Sequence, residues 1–485
     1  MIPSLSLGTA SDLDGNFVIL NIPPGKIDVN FSMIGYAEIR IENVTISIDQ
    51  TTPLSVQLNV EAIEGQAIIV RNERLIRMDR TNTEARITAE ELDVMPVTDI
   101  YDVIKLQGGI THDAYGGIHI RGGRSSEVVY MVDGVSMTDS YDGGLSIAVE
   151  NNTIQELQVI SGTFNAEYGR AMSGIINMVT KDGGNQFEGS FRSFSGDHLS
   201  SDPIYRDLNS YNIFNQRNLE MQISGPILKD KLIFFTSGRY YGTNGWLSGL
   251  NTFSMYGDTL DSPNYSPMNS IDKYSLQNKL TFAHSPYTKL KLKYITNHEK
   301  SQGYDHYRQM TQEGRNTNLN TGNYWGLNLS HTFSPEAFME FNISRHSKKF
   351  ESYLFEDDGD PQYITPDSLY YAQITGELPA GVEAGTNYYP SHSFGRWGVD
   401  MNRFMRETIT NQAKLEMTSQ VNAYNQFKLG IEVQFHQLEL DSYALMDSSL
   451  NDSVFTPIIP QLAAEYDISG NVIPQLSVAK KLQYS

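Results

Sequence analysis

The sequence predicts a mainly β protein in three parts: a partial N-terminal β-sandwich, a compact α/β unit, and the N-terminal part of an antiparallel transmembrane β-barrel. Three observations carry this prediction. Past Asn185, segment after segment alternates polar and apolar residues at period two. The joints between these segments are short and long in strict turn, the pattern of an outer-membrane barrel. Ahead of them, the texture is that of short strands, turns and one helical run.

Composition narrows the function classes. The 485 residues carry 57 acidic against 36 basic side chains, a formal net charge of -21, which disfavours nucleic acid as a partner. There is no cysteine, so disulfide staples and thiolate metal sites are excluded. No window approaches the roughly 18 consecutive apolar residues of a transmembrane helix, a criterion that leaves barrels untouched. The opening MIPSLSLGTASDLDGNF lacks the basic stretch and apolar core of a secretory signal peptide. Either the protein is cytoplasmic or its true start lies upstream.

In order along the chain, residues 1–62 read as the sandwich: DLDGNFVIL, GKIDVNFSMIGY, IRIENVTISI and TPLSVQLNV are strands, with Asp14-Gly15 and Pro23-Pro24-Gly25 as turn chemistry. Residues 63–95 mix charges of both signs around one apolar patch and read as a connector. Residues 96–185 form the α/β unit. In VTDIYDVIKLQGG, Ile100, Val103, Ile104 and Leu106 share a helical face that Gly108-Gly109 ends. GGIHIRGG, IQELQVISG and GIINMVTK are strands, and EVVYMVDGVSM is a hairpin about Asp133-Gly134. Residues 186–485 then supply about nine barrel strands, from EGSFRSFSG to QFKLGIEVQFHQLEL. The joints at 228–230, 285–288, 334–337 and 422–425 are tight, while 242–272, 301–322 and 351–410 are long, polar connections. Tyr240, Tyr241, Tyr294, Tyr324, Trp325, Phe333 and Phe350 lie near strand ends, where interface girdles form.

IHIRGGRSSEVVYMVDGVSM, IQELQVISGTFNAEYGRAMSGIINMVTKDGGN and ISGPILKDKLIFFTSGRYY resemble the plug domain and first barrel strands of TonB-dependent outer-membrane transporters. GTASDLDGNFVILNIPPGKIDVNFSMIGY resembles the carboxypeptidase-regulatory-like domain that precedes the plug in many of them. The resemblance implies active import of a nutrient, the cell outer membrane as location, and a fragment truncated at both ends whose signal peptide is missing. It also implies a TonB-type energy-transducing protein of the inner membrane and outer-membrane lipid as partners, and leaves open a surface lipoprotein.

Several residues gain expected roles from it. Small residues Gly169, Ala171, Ser173 and Gly174 let the plug backbone pass close to the barrel wall, with Ile175, Ile176 and Val179 buried in its sheet. Lys181 to Gln186 link plug to barrel. Arg121, Arg124, Glu167 and Arg170 are expected to hold the plug in a wet lumen, with Arg121 and Arg170 facing barrel carboxylates. Gln66, Ala67, Ile68, Ile69, Val70 and Arg71 are either a final sandwich strand or a TonB box that docks by strand addition.

No catalytic signature is present: HExxH, GxSxG and GxxxxGK[ST] are all missing, so no enzyme activity, cofactor or metal is expected. The competing reading is a soluble or surface-attached β-rich protein that binds carbohydrate. Under either reading Tyr370, Tyr371, Tyr388, Tyr389 and Trp397 are the loop residues offered to a ligand.

Overall fold

The computed structural model describes residues 1–47, 52–58, 68–71, 83–363, 394–395, 398–445 and 482–484, apart from residues 6, 12–14, 21, 98, 114–115, 163, 165–167, 335 and 423–424. Its first sheet pairs Gly25–Phe31 (β1) antiparallel with Ile39–Ile46 (β2), and β2 in turn runs parallel to Ile68–Arg71 (β3). Alternate residues Ile27, Val29, Ile39, Ile41, Val44 and Ile46 face inward and form one small core with Ile2. Among the described residues, the segments expected as further strands around Phe17 and at 53–58 carry no ladder. Ile19, Leu54, Val56 and Leu58 nevertheless pack on that core. Alternation decides which side chains are buried; a strand also requires a neighbouring backbone to bond.

The α/β unit contains Thr83–Thr88 (β4), Ala89–Val94 (α1), Ile100–Lys105 (α2), Ile110–His112 (β5), Ile118–Ile120 (β6), Val128–Val132 (β7), Val135–Ser136 (β8), Ile154–Ser161 (β9) and Gly174–Thr180 (β10). Its main sheet has the order β4-β9-β10-β7-β8, with only β7 and β10 parallel. β4 and α1 fall in the stretch expected to be connector. Thr88 accounts for the helix: its hydroxyl accepts from the Glu91 N–H while its own N–H donates to the Glu91 carboxylate, a reciprocal cap. In α2, Ile100, Val103 and Ile104 are buried as expected. Leu106 is not, at 64% exposed, because the helix ends at Lys105 and the capping residue turns outward. Asp133 and Gly134 both take positive φ, 49° and 78°, as a two-residue hairpin between β7 and β8 demands.

The remaining long strands form a wall: Glu188–Gly196 (β11), Gln216–Leu228 (β12), Leu232–Thr243 (β13), Ile271–Ser285 (β16), Thr288–Ser301 (β17), Thr317–Ser334 (β18), Ala337–Tyr353 (β19), Asn402–Asn422 (β20) and Asn425–Ala444 (β21). Each pairs antiparallel with the next, and Leu482–Tyr484 (β22) adds three residues beside β21. Short turns lie at one end and long connections at the other. One such connection, read from sequence as a loop, contains a separate hairpin of Ser248–Phe253 (β14) and Thr259–Pro267 (β15).

Period two gives the wall two unlike faces. Outward it exposes residues such as Leu219, Met221, Leu276, Leu327, Ile431 and Phe435. Inward it buries polar ones, among them Ser237, Asn297, Thr410 and Gln412. Ile295 and Tyr324, cross-strand partners on β17 and β18, also point inward and join the hydrophobic core of the α/β unit. Tyr324 is therefore not the girdle residue its place near a strand end suggested.

The close approach to the wall is made by a different glycine from those expected. A Cβ on Gly174 would lie 2.2 Å from Ile120 Cδ1, inside the α/β unit, and one on Gly169 would meet nothing within 4 Å. A Cβ on Gly183, just after β10, would sit 2.3 Å from the Phe234 carbonyl oxygen of β13. Gly183→Ala is accordingly expected to weaken seating of the α/β unit by about 1–3 kcal/mol, the usual cost of overpacking. Gly169→Ala should be neutral; the denaturant needed to expose the unit to protease, measured in detergent, compares the two.

Candidate functional site

The contact between the α/β unit and the inner face of the wall is an ionic interface with a consistent polarity. The unit supplies carboxylates and the wall supplies cations. Its densest part forms around Lys279 and Lys293, which face each other across β16 and β17. The Asp133 carboxylate lies 3.4 Å from Lys279 Nζ and 2.9 Å from Lys293 Nζ. It also accepts from the Thr180 N–H and hydroxyl, each at 2.7 Å. Asp182 takes Lys279 at 2.8 Å and Lys291 at 2.6 Å, and Lys279 further donates to the Thr180 carbonyl at 3.1 Å. The hairpin that β7 and β8 require thus delivers Asp133 to the wall.

Two further clusters extend toward the long connections. Glu150 pairs with Arg239 of β13 and, at 3.1 Å, with Lys273 of β16. Asp139 and Asp142 share Lys348 of β19 and Arg406 of β20, at 3.2 to 3.4 Å for Lys348 and Asp139–Arg406 and 3.0 Å for Asp142–Arg406. The Arg406 guanidinium also sits over the Tyr141 ring, 4.5 Å from its centroid. Lys414 of β20 donates to the Gly134 carbonyl at 3.3 Å.

Burial alone would raise the carboxyls of Asp133 and Asp182, but the neighbouring ammonium groups and the hydrogen bonds outweigh it and hold both well below the usual carboxylate range. Glu150 is lowered in the same way, by Lys273 and Arg239 acting against its desolvation. Each group is therefore charged in the seated state, where charge is cheap only because a counter-ion stands within contact distance.

The expected arginines are placed differently. Arg170 reaches the wall, but its Nη1 lies 3.2 Å from Gln434 Oε1 and 3.4 Å from His436 Nε2, with no carboxylate among these contacts. Arg124 opens a turn, its N–H donating to Glu127 Oε2 at 3.1 Å. Among the described residues neither Arg121 nor Arg124 forms an ion pair with the wall. Glu167 lies outside the described residues, as do Tyr370, Tyr371, Tyr388, Tyr389, Trp397, Gln66 and Ala67. Ile68, Ile69, Val70 and Arg71 are the β3 residues whose backbone pairs with Ile39 to Glu42. Sequence reasoning missed the wall lysines because KLKLKY looks like any alternating strand. The signal available was their number: Lys289, Lys291 and Lys293 on one face exceed what a solvated strand needs.

Comparison with known proteins agrees with this architecture. Residues 77–175 match the TonB-dependent receptor plug domain and residues 1–70 the CarboxypepD_reg-like domain. The TonB-dependent transporter Oar of Myxococcus xanthus is 27% identical over 242 residues, 46% of this chain and 23% of that protein. In fold, the outer membrane transporter YddB from Escherichia coli superposes with a TM-score of 0.51 at 12% identity, covering 74% of this chain and 49% of that one. The ferripyoverdine receptor of the outer membrane of Pseudomonas aeruginosa gives 0.51 at 14% identity, covering 76% and 44%. The chain thus spans less than half the length of these relatives, and they are transporters and receptors, not enzymes.

Two outcomes test the interface. Lys279→Met leaves two buried carboxylates under-neutralised and should lower the stability of plug seating by about 3 kcal/mol, whereas Arg121→Gln should leave it unchanged; urea-dependent protease sensitivity of the plug reads both. The second concerns pH. A carboxyl whose folded pKa is depressed contributes stability that is fully present above its unfolded value, near about 4, and is lost as pH falls through the folded value. Seating should therefore hold from neutrality to about pH 4 and fail progressively below it. Asp133→Asn with Asp182→Asn should lower seating at pH 7 and flatten that acid limb, measured by the same protease assay across pH.

Proposed function

We propose that this chain, a homologue of the TonB-dependent transporters that carries their plug domain, provides the plug and gating wall for active transport of a nutrient ligand across the bacterial outer membrane. The observation that supports this most is the inverted wall. Its polar, charged face lies against the plug and its apolar face is exposed, an arrangement that suits lipid outside and a wet lumen inside. Ion pairs in such a lumen can be broken when water enters, so the plug is held firmly yet released by force or rearrangement.

On this reading the tight joints at 228–230, 285–288, 334–337 and 422–425 face the periplasm, and the long connections, including the β14–β15 hairpin and residues 351–410 with their tyrosines, face the outside as ligand-capturing loops. The residues around 66–71 are the energy-coupling segment, where a TonB-type protein of the inner membrane adds a strand. Because β3 already pairs with β2, such docking means leaving a ladder of four residues for a partner's sheet edge.

The natural absence of cysteine makes topology directly testable. In whole cells bearing the full-length protein, a membrane-impermeant maleimide should label Tyr256→Cys, at the tip of the outer hairpin, and spare Tyr287→Cys, at a short turn, until the membrane is opened. The opposite pattern reverses the orientation. Ile69→Pro, which removes a backbone donor and fixes φ, should abolish uptake while surface ligand binding persists. Uptake that survives, or binding lost along with it, removes residues 66–71 from the coupling role.

A further inference from the structure

The outer face of the wall is not a uniform apolar belt. Across β17, β18, β19, β20 and β21, one row of outward residues reads Leu292, Leu327, Ile343, Ala413, Val433. The next row toward the long connections reads Tyr294, Trp325, Arg345, Asn411, Phe435. The row after that is Thr296, Asn323, Ser347, Ile409, Gln437, which is mostly polar. The middle row is thus the boundary where the apolar belt ends.

At that boundary, Ala413 is small beside Trp325, Ile343 and Phe435, and the surface sinks between them into an open cavity of about 430 Å³. Trp325 packs against Tyr294 with centroids 4.1 Å apart and ring planes tilted by 34°, which fixes one rim. Arg345 lines the cavity and is exposed, and among the described residues its side chain has neither an ion pair nor a hydrogen-bond partner. A guanidinium at the edge of an apolar groove has lost part of its hydration and gained no counter-ion, so an anionic group beside it is the chemistry that completes the site. Apolar rows below a single cation match a lipid: acyl chain in the groove, acidic headgroup at its upper end.

We propose that this groove binds a membrane phospholipid of net negative charge from the leaflet nearest the long connections, its anionic headgroup on Arg345 and its chain along Ile343, Ala413 and Val433. The proposal rests on the outer-membrane reading above. The guanidinium fork suits phosphate oxygens in a bidentate contact, and the Asn411 amide stands next to it across the strand pair as a neutral donor.

The full chain in detergent, exposed to dioleoyl-phosphatidylglycerol and dioleoyl-phosphatidylcholine at equal concentration, tests this by native mass spectrometry of retained lipid. Phosphatidylglycerol should be retained several-fold over phosphatidylcholine, and Arg345→Gln should erase that preference while leaving phosphatidylcholine retention unchanged. Ala413→Leu, which fills the groove, should reduce retention of both. Equal retention of the two lipids by the unaltered chain, or a preference that survives Arg345→Gln, overturns the proposal and leaves the barrel reading standing. Retention of neither lipid overturns both.

Discussion

The organising constraint of this structure is the row of lysines that the wall turns toward its interior. Lys279 and Lys293 are 4% and 6% exposed, and two such ammonium groups facing each other across a strand pair repel unless something neutralises them. Asp133 and Asp182 do so, and both come from the plug. The wall is therefore electrostatically incomplete without its plug, and once buried there the plug's carboxylates stay charged because the lysines stand beside them. The Asp133-Gly134 hairpin, the register of β16 against β17 and the close passage of Gly183 all serve that one contact.

The same alternation that sends lysine inward sends leucine, phenylalanine and tryptophan outward, so one sequence pattern produces two environments. Charge is concentrated on the face that meets the plug's counter-ions, and apolar area on the exposed face. Among the described residues, apolar contact supplements the ion pairs where Ile295 and Tyr324 join the plug's own core. On the proposed reading, this division of labour suits a plug that must open. Separated charges can be taken up by water once the seam opens, whereas a wholly apolar seam would expose surface that aggregates.

Much of the fold was legible in the sequence, and the physical reasons are specific. The wall strands were visible because sustained period-two alternation, as in QFKLGIEVQFHQLEL, puts apolar side chains on one face of a strand and would scatter them around a helix. The hairpin at Asp133-Gly134 was visible because its turn chemistry is specific. What escaped depends on contacts remote in sequence. Thr83 to Thr88 looks like connector until β9 is there to pair with it, and the β14–β15 hairpin hides among polar loop residues. The plug–wall contact was anticipated as ionic but with the arginines of the plug as its cations. Arginine draws attention in a motif such as IHIRGG, while an aspartate in a turn already has a local role. Only the fold reveals that Asp133 closes a turn and binds Lys293 at once.

The most direct test is a double-mutant cycle on Asp133→Asn and Lys293→Met, scored by the urea concentration that releases the plug to protease in detergent. If these groups hold plug to wall as described, the pair should couple by at least about 1 kcal/mol, the double variant losing clearly less than the sum of the singles. Losses that simply add, within about 0.5 kcal/mol, would contradict the claim that the lysine row of the wall is what the plug is built to neutralise.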